Sequence, residues 1–149
     1  ETMESIGSNR YDFVFCRNVL EHVPEPKKGI QSIARVLKKG GHALITVPHL
    51  GYLHNEPHDY WRFTKYSLAH EAKQAKLEIV SIKEIGGLFA FKGYLIQTFL
   101  LGFLWRIPLI GWLAFGVNVI LQLLLLFLDC LIGIKRLFPL NYMMVVRKR

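Results

Sequence analysis

The fold of this chain is decided by Tyr11–Pro48, which reads YDFVFCRNVLEHVPEPKKGIQSIARVLKKGGHALITVP. Two short apolar runs in it, Tyr11–Cys16 and His42–Val47, are typical of strands buried on both faces. Between them, Lys27–Leu37 has apolar residues at helical spacing and predicts an amphipathic helix. Gly40–Gly41 is expected to end that helix in a left-handed cap. Strand, helix and strand with short turns predict a parallel crossover.

The elements after this crossover are also visible in the sequence. A long polar and aromatic loop, Pro48–Phe63, follows the second strand, and its length by itself favours a functional role. Thr64 is a plausible N-cap for a helix from Lys65 to about Lys76. Leu77–Ile85 and Tyr142–Val146 complete the set of predicted strands.

An apolar segment at 88–138 interrupts the chain before its last strand. Residues 107–128 contain no charged side chain, and a bilayer core takes about 20 helical residues to cross. Tyr94–Trp105 is too short to cross alone as a helix. Basic residues flank the charge-free run 107–128, as they do at a cytoplasmic membrane face. Arg106 precedes the run, and the residues that follow it are Lys135, Arg136, Arg147, Lys148 and Arg149.

The predicted strands on either side limit how this segment meets a membrane. If 77–85 and 140–147 are neighbours in one sheet, the chain leaves and returns on the same side, which excludes a single crossing. Pro108, Gly111 and Gly116 favour a bend. We therefore expect a hairpin in or dipping into the cytoplasmic leaflet, and the alternative is a soluble helical cap.

Composition excludes several classes of protein. The net charge is +8, but the cations form no single dense stripe, so we expect no nucleic-acid partner. Cys16 and Cys130 allow neither a disulfide framework nor a zinc-finger spacing. We expect residues 1–87 and 139–149 to form one α/β domain, with 88–138 as its insert.

Two stretches resemble the C-terminal half of the class I S-adenosylmethionine-dependent methyltransferase domain, especially the type 11 methyltransferase branch. They are YDFVFCRNVLEHVPEP and IARVLKKGGHALITVP, in which Lys39 replaces the family's usual proline; HDYWRFT and NYMMVVRKR add to the likeness. The resemblance covers 10–87 and 139–149. It implies a Rossmann-like sheet that is incomplete on its N-terminal side, with an apolar helical insert before the last strand.

The resemblance also implies where the cofactor, S-adenosyl-L-methionine, is held. Ligands of open parallel sheets bind beyond the carboxyl ends of the strands, and Arg17, Asn18 and Val19 follow the first strand. In the family, the methionine part of the cofactor packs at this place. The alternative is that these residues only begin a helix.

His22 and Tyr60 are the catalytic candidates. A histidine has a pKa near neutrality, so His22 could act as a base or contact the substrate, although a structural role is as plausible. Glu21 reads as a solvated charge at a helix start. Methyl transfer to a good nucleophile needs mainly correct alignment.

The long loop is expected to form a lid over the acceptor, or else a packed surface loop with aromatic anchors. Tyr60 and Trp61 would be walls, and Arg62 would grip an anionic or hydroxylated group. The substrate-binding candidates are His58, Asp59, Trp61 and Arg62. His54, Glu56 and His58 could be read as metal ligands, but their order is not a zinc motif and Pro57 disfavours the helix it needs, so we expect no metal.

The sequence thus predicts methyl transfer to a small-molecule, lipid-linked, quinone-like or envelope-glycan acceptor at the cytoplasmic face of a membrane, with membrane lipids as partners. By the resemblance, the family's first half of the domain supplies a Gly-rich cofactor loop after a first strand and an acidic residue that closes a second strand and holds the ribose, and we find neither pattern in this sequence. We therefore expect these 149 residues to be a fragment that binds the cofactor only weakly. The alternative is a truncated, non-catalytic module that mediates membrane-associated interactions.

Overall fold

The computed structural model describes residues 3–104, 107–132 and 137–149. The expected flanking cations Arg106, Lys135 and Arg136 lie outside these residues. The elements in chain order are β1 (Tyr11–Arg17), a 3-10 turn (Leu20–His22), α1 (Pro26–Val36), β2 (Leu37–Pro48), α2 (Lys65–Gln74), β3 (Leu77–Ile85), α3 (Leu88–Leu104), α4 (Pro108–Ile132) and β4 (Asn141–Lys148).

The four strands form one mixed sheet in the order β1-β2-β4-β3. β1 is parallel to β2, with Val14 opposite Ala43, and β4 runs antiparallel to β2, with Met144 opposite Ile45. The predicted α/β class is confirmed, with the apolar helices inserted before the last strand. Since β3 and β4 are neighbours, the chain returns to the sheet that it left.

The expected glycine cap of α1 is wrong. The helix ends at Val36, and Leu37 already has extended backbone, with φ −65° and ψ 139°. The glycines lie instead in an irregular start of β2, where its register against β1 shifts. Gly40 has φ +80°, and a Cβ on Gly41 would lie 2.9 Å from the Lys38 carbonyl oxygen. Both positions therefore require glycine because of this irregularity.

β1 is an edge strand of the sheet, and the expectation that it is buried on both faces is wrong. Cys16 is buried, but Phe13 and Phe15 are 56% and 60% exposed. The apolar pattern is typical of a central strand, yet in the described residues only β2 pairs with β1. An apolar strand that lacks a neighbour and a covering layer leaves its second face open.

The α2 helix begins as the sequence predicts. The Thr64 hydroxyl accepts a hydrogen bond from the Ser67 amide, and the Ser67 hydroxyl in turn accepts one from the Thr64 amide. Leu68 and Ala72 face the core of the sheet domain, together with Ile30 and Ile33 of α1. The core thus lies between the sheet and the helices α1 and α2.

The chain divides into two compact units, 1–83 with 141–149 and 84–140. In the second unit, α3 and α4 form an antiparallel helical hairpin, since residues near the start of α3 contact residues near the end of α4. The Asp129 carboxylate accepts hydrogen bonds from the Phe89 and Ala90 amides, at 3.0 and 2.8 Å. Helix α4 continues through Gly111 and Gly116, so the expected bend does not interrupt it.

Candidate functional site

The carboxyl ends of β1 and β2 are tied together by Asn18. Its amide donates to the Thr46 carbonyl oxygen over 2.9 Å, and its side-chain oxygen accepts from the Thr46 hydroxyl over 3.0 Å. Its φ of +50° turns the chain away from the strand. Arg17 and Val19 on either side are exposed. The predicted cofactor residues therefore lie at the expected strand end.

Glu21 is the most unusual residue of this region, because its side chain is 0% exposed. Neither carboxylate oxygen has a hydrogen-bond partner within the described residues. Burial raises the pKa of this carboxyl, while its own backbone and the charges of His22, His54 and Arg62 act in the opposite direction. The expectation of a solvated charge is wrong, since the 3-10 turn points Glu21 inward.

His22 is oriented by the long loop. Its Nδ1 lies 2.6 Å from the His58 carbonyl oxygen, and a carbonyl can only accept, so Nδ1 carries the proton. The Nε2 atom is then the one with a free lone pair. It lies 3.8 Å from a Glu21 carboxylate oxygen, and the His54 ring stands edge-on at 4.9 Å between centroids.

The backbone of the loop is fastened to the 3-10 turn. The Tyr60 and Trp61 amides donate to the Glu21 carbonyl oxygen, over 2.8 and 3.3 Å. The Trp61 indole donates to the Val23 carbonyl oxygen over 3.1 Å. At the base of the loop, His49 bonds the Phe63 carbonyl oxygen over 2.7 Å. The predicted loop therefore folds back over the end of β1.

Arg62 and Asp59 form a two-point ion pair within the loop. The two terminal guanidinium nitrogens donate to the two Asp59 oxygens, at 2.7 and 2.8 Å. One of them also donates to the Tyr52 carbonyl oxygen over 2.8 Å. The Arg62 hydrogen bonds hold the pKa of Asp59 far below its usual range, and the His54 amide adds to this. In this structure the pair fixes the shape of the loop.

The structure brings together most of the residues singled out from the sequence. His22, His58 and Tyr60 form a continuous chain, in which the His58 ring bonds the Tyr60 hydroxyl over 2.9 Å. Tyr60 and Trp61 each remain 44% exposed, as walls of an open site would be. Sequence reasoning missed Glu21 and His54 as partners of His22, because only the folded loop places His54 there.

Of the cavities on the described surface, one adjoins this region and a larger one lies away from it. An apolar groove of about 320 Å³ is lined by residues that include Phe15, Val19 and Leu20, next to the end of β1. A larger cleft of about 890 Å³ lies at the other end of the sheet and includes Lys73 and Lys148. The Lys148 ammonium donates there to three oxygens of its own chain. The smaller groove is therefore the one that adjoins the site.

Comparison with known sequences matches this chain to a family model and to a curated relative. A family model described as a methyltransferase domain matches residues 1–94. A ubiquinone biosynthesis O-methyltransferase of Nitrosomonas europaea is 38% identical over 96 residues, which cover 51% of this chain and 41% of that protein. The chain thus spans less than half the length of this relative.

Solved structures share the fold at low sequence identity. The [4+2]-cyclase SpnF matches with a TM-score of 0.58 and 16% identity, over 95% of this chain and 52% of its own. A phosphoethanolamine N-methyltransferase of Haemonchus contortus, in complex with S-adenosyl-L-methionine, matches with a TM-score of 0.54 and 21% identity, over 96% of this chain and 34% of its own. At such identities the likeness concerns the fold alone.

Proposed function

Because this chain belongs to the methyltransferase-domain family, we propose that it is the acceptor-binding part of an S-adenosylmethionine-dependent O-methyltransferase at the cytoplasmic face of a membrane. The observation that carries the proposal is the long loop, which is folded onto the Glu21–His22 turn at the carboxyl end of β1. This end is where ligands of such sheets bind. The ubiquinone-pathway relative supports a small-molecule acceptor with a hydroxyl group.

The chain supplies one side of a cofactor site. The exposed Val19 beside an apolar groove suits the methionine part of the cofactor, and Arg17 and Asn18 precede it at the end of β1. S-adenosylmethionine would bring the methyl group on its sulfonium centre. In the family, the remaining contacts, to the ribose and adenine, come from a Gly-rich loop and from an acidic residue at the end of a further strand, and we assign neither of these to a residue of this chain.

His22 has the chemistry to activate an acceptor hydroxyl. Its Nδ1 proton is held by the His58 carbonyl, so Nε2 can take a proton from the acceptor oxygen. Tyr60 and Trp61 present exposed aromatic faces that would pack against an aromatic or quinone-like acceptor. Asp59 and Arg62 keep the loop in this shape, and His58 links Tyr60 to His22.

The exposed apolar surface of the α3–α4 hairpin supports the proposed membrane location. Large apolar side chains cover its outside, including Trp112 at 69% and Leu113 at 70% exposure, while Gln97 and Asp129 are buried within it. Ile110–Ile132 is long and apolar enough to cross a bilayer, and 6% of its apolar window is buried. Since β3 and β4 are neighbours, we place α3 and α4 as a hairpin in the cytoplasmic leaflet, with membrane lipids as partners and a lipid-linked acceptor within reach.

Methyl transfer by the full-length protein tests the catalytic proposal. With radiolabelled S-adenosylmethionine and a lipid extract or a catechol-type quinone precursor as acceptor, we expect Trp61→Ala to lower kcat/KM at least tenfold, because it removes a wall of the acceptor site. Tyr66→Ala, which removes an exposed aromatic side chain on α2, is the control. Normal turnover by a folded Trp61→Ala protein would contradict the proposal, and no transfer by the wild type to any acceptor would favour a non-catalytic interaction module.

Flotation with liposomes tests the membrane proposal. We expect Ile120→Asp to lower the bound fraction at least tenfold, because a charge in the middle of an apolar helix costs about 2.5–3.5 kcal/mol in a bilayer. Tyr66→Asp adds the same charge to an exposed position in the sheet domain and should float like the wild type. A wild-type protein that stays at the bottom of the gradient would refute membrane association.

A further inference from the structure

We propose that Glu21, His22 and His54 form a site for a divalent first-row transition metal such as Zn²⁺. One ligand atom from each lies within 4.8 Å of the other two. Sequence reasoning suggested only His54, Glu56 and His58 as possible ligands, and their order argued against a metal. In the folded chain the His58 ring bonds Tyr60 instead, and the loop brings His54 to the Glu21–His22 turn.

The strongest reason to expect a cation is the state of Glu21. A fully buried carboxylate without a hydrogen-bond donor from another residue, as far as the described residues show, is unfavourable. Arg62 does not pair with the Glu21 carboxylate, because its guanidinium is bound to Asp59. A bound divalent ion would give Glu21 the positive partner that its surroundings lack.

The two imidazoles are oriented as ligand histidines usually are. A metal-binding histidine donates its second ring N–H to a carbonyl or carboxylate, which fixes the other nitrogen toward the metal. His22 does this through Nδ1 to the His58 carbonyl oxygen. The Nδ1 atom of His54 lies 3.3 Å from the Tyr52 carbonyl oxygen and 3.6 Å from an Asp59 oxygen. In both rings Nε2 is then the nitrogen free to bind.

The ligand set decides the class of metal. Two imidazoles with one carboxylate suit Zn²⁺ and its neighbours in the first row, whereas Mg²⁺ and Ca²⁺ prefer oxygen ligands alone. Ligands about 2.0–2.2 Å from a tetrahedral zinc lie roughly 3.3 Å apart. The 3.8 Å between His22 Nε2 and the Glu21 oxygen is close to this spacing, so small side-chain rotations would complete the site.

A metal held by three protein ligands keeps a fourth position open. This position could bind an acceptor hydroxyl and lower its pKa, a role that rests on the proposed function. The metal would then replace His22 as the activating group, since one lone pair cannot bind a metal and a proton together. Binding itself also fastens the loop to the 3-10 turn, whether or not the protein transfers methyl groups.

The test measures metal binding by the 149-residue chain, without any assay of activity. After removal of metals with a chelator, competition with a chromophoric zinc indicator should show one tight Zn²⁺ per chain. Glu21→Gln and His54→Asn should each weaken it at least a hundredfold, while His70→Asn, which changes an exposed histidine on α2, should leave it unchanged. A hundredfold excess of Mg²⁺ should not compete.

Two further readings guard against misfolding and chance binding. Co²⁺ should give the visible absorption of a four-coordinate site in the wild type, and the two ligand variants should lose it. Zn²⁺ should raise the unfolding temperature of the wild type and of His70→Asn but not of the two ligand variants, and in chelator Glu21→Gln should unfold no earlier than the wild type. Equal zinc affinity of wild type and His54→Asn, or stoichiometric binding that survives Glu21→Gln, would overturn the proposal.

Discussion

The sheet domain and the helical hairpin place their polar and apolar residues in opposite ways. In the sheet domain, Ile30, Ile45 and Leu68 are fully buried. In the hairpin, Asp129 is fully buried and Leu113 is 70% exposed. An apolar interior is stable in water, whereas an apolar exterior around a polar contact suits a lipid environment. This opposite placement of polar and apolar residues in the two units is the observation on which the membrane proposal rests.

The largest difference in unfolding free energy should appear when one apolar side chain is shortened in each unit. Ile45→Ala leaves a cavity in the core of the sheet domain and should cost about 2–5 kcal/mol of unfolding free energy. Leu113→Ala removes a side chain from the outer face of the hairpin and should change it by at most about 0.5 kcal/mol. Denaturation in detergent measures both, and equal losses would mean that Leu113 is part of a packed core.

A smaller effect should come from the polar contact inside the hairpin. Asp129→Asn should weaken the two hydrogen bonds to the start of α3 by about 1–2 kcal/mol, because it removes the charge that favours a helix N-terminus. Exchange of the Phe89 and Ala90 amides should then speed up about tenfold. Asp12→Asn, which breaks an exposed pair with Lys38, is the matched control. Unchanged amide exchange in Asp129→Asn would show that the carboxylate does not hold the hairpin.

The smallest effect on stability at neutral pH is expected at the cysteines, which should differ instead in how fast they are alkylated. Cys16 is buried and Cys130 is exposed, so an alkylating reagent should modify Cys130 first and reach Cys16 only on unfolding. Burial, with the nearby Glu21 charge, raises the pKa of the Cys16 thiol from 9.0 to about 11.

The stability contributed by Cys16 should therefore be full below pH 9 and decline as the pH rises toward 11, because the unfolded thiol loses its proton first. Unfolding temperatures between pH 8 and 11 measure this, and Cys16→Ala should decline less steeply than the wild type. Parallel declines of the two proteins would show that the thiol does not contribute, and rapid alkylation of folded Cys16 would show that it is accessible.

Much of the fold follows from local pattern. The crossover of Tyr11–Pro48, the capping residue Thr64 and the strand Leu77–Ile85 all depend on spacing over a few residues, and the structure has them where they were expected. The glycine pair at 40–41 could not be placed in this way. A helix cap and an irregular strand both require glycine, and only the pairing of β2 with β1 decides between them.

The same limit applies to the site. Sequence alone predicted a candidate functional region at the end of β1 and in the long loop after β2, because strand ends and long loops are recognisable from residue types. It could not show that Glu21 is buried, that Arg62 is bound to Asp59, or that His54 reaches His22. These facts arise from contacts between residues that are distant in sequence, and the tertiary structure decides them because only folding of the loop brings those side chains together.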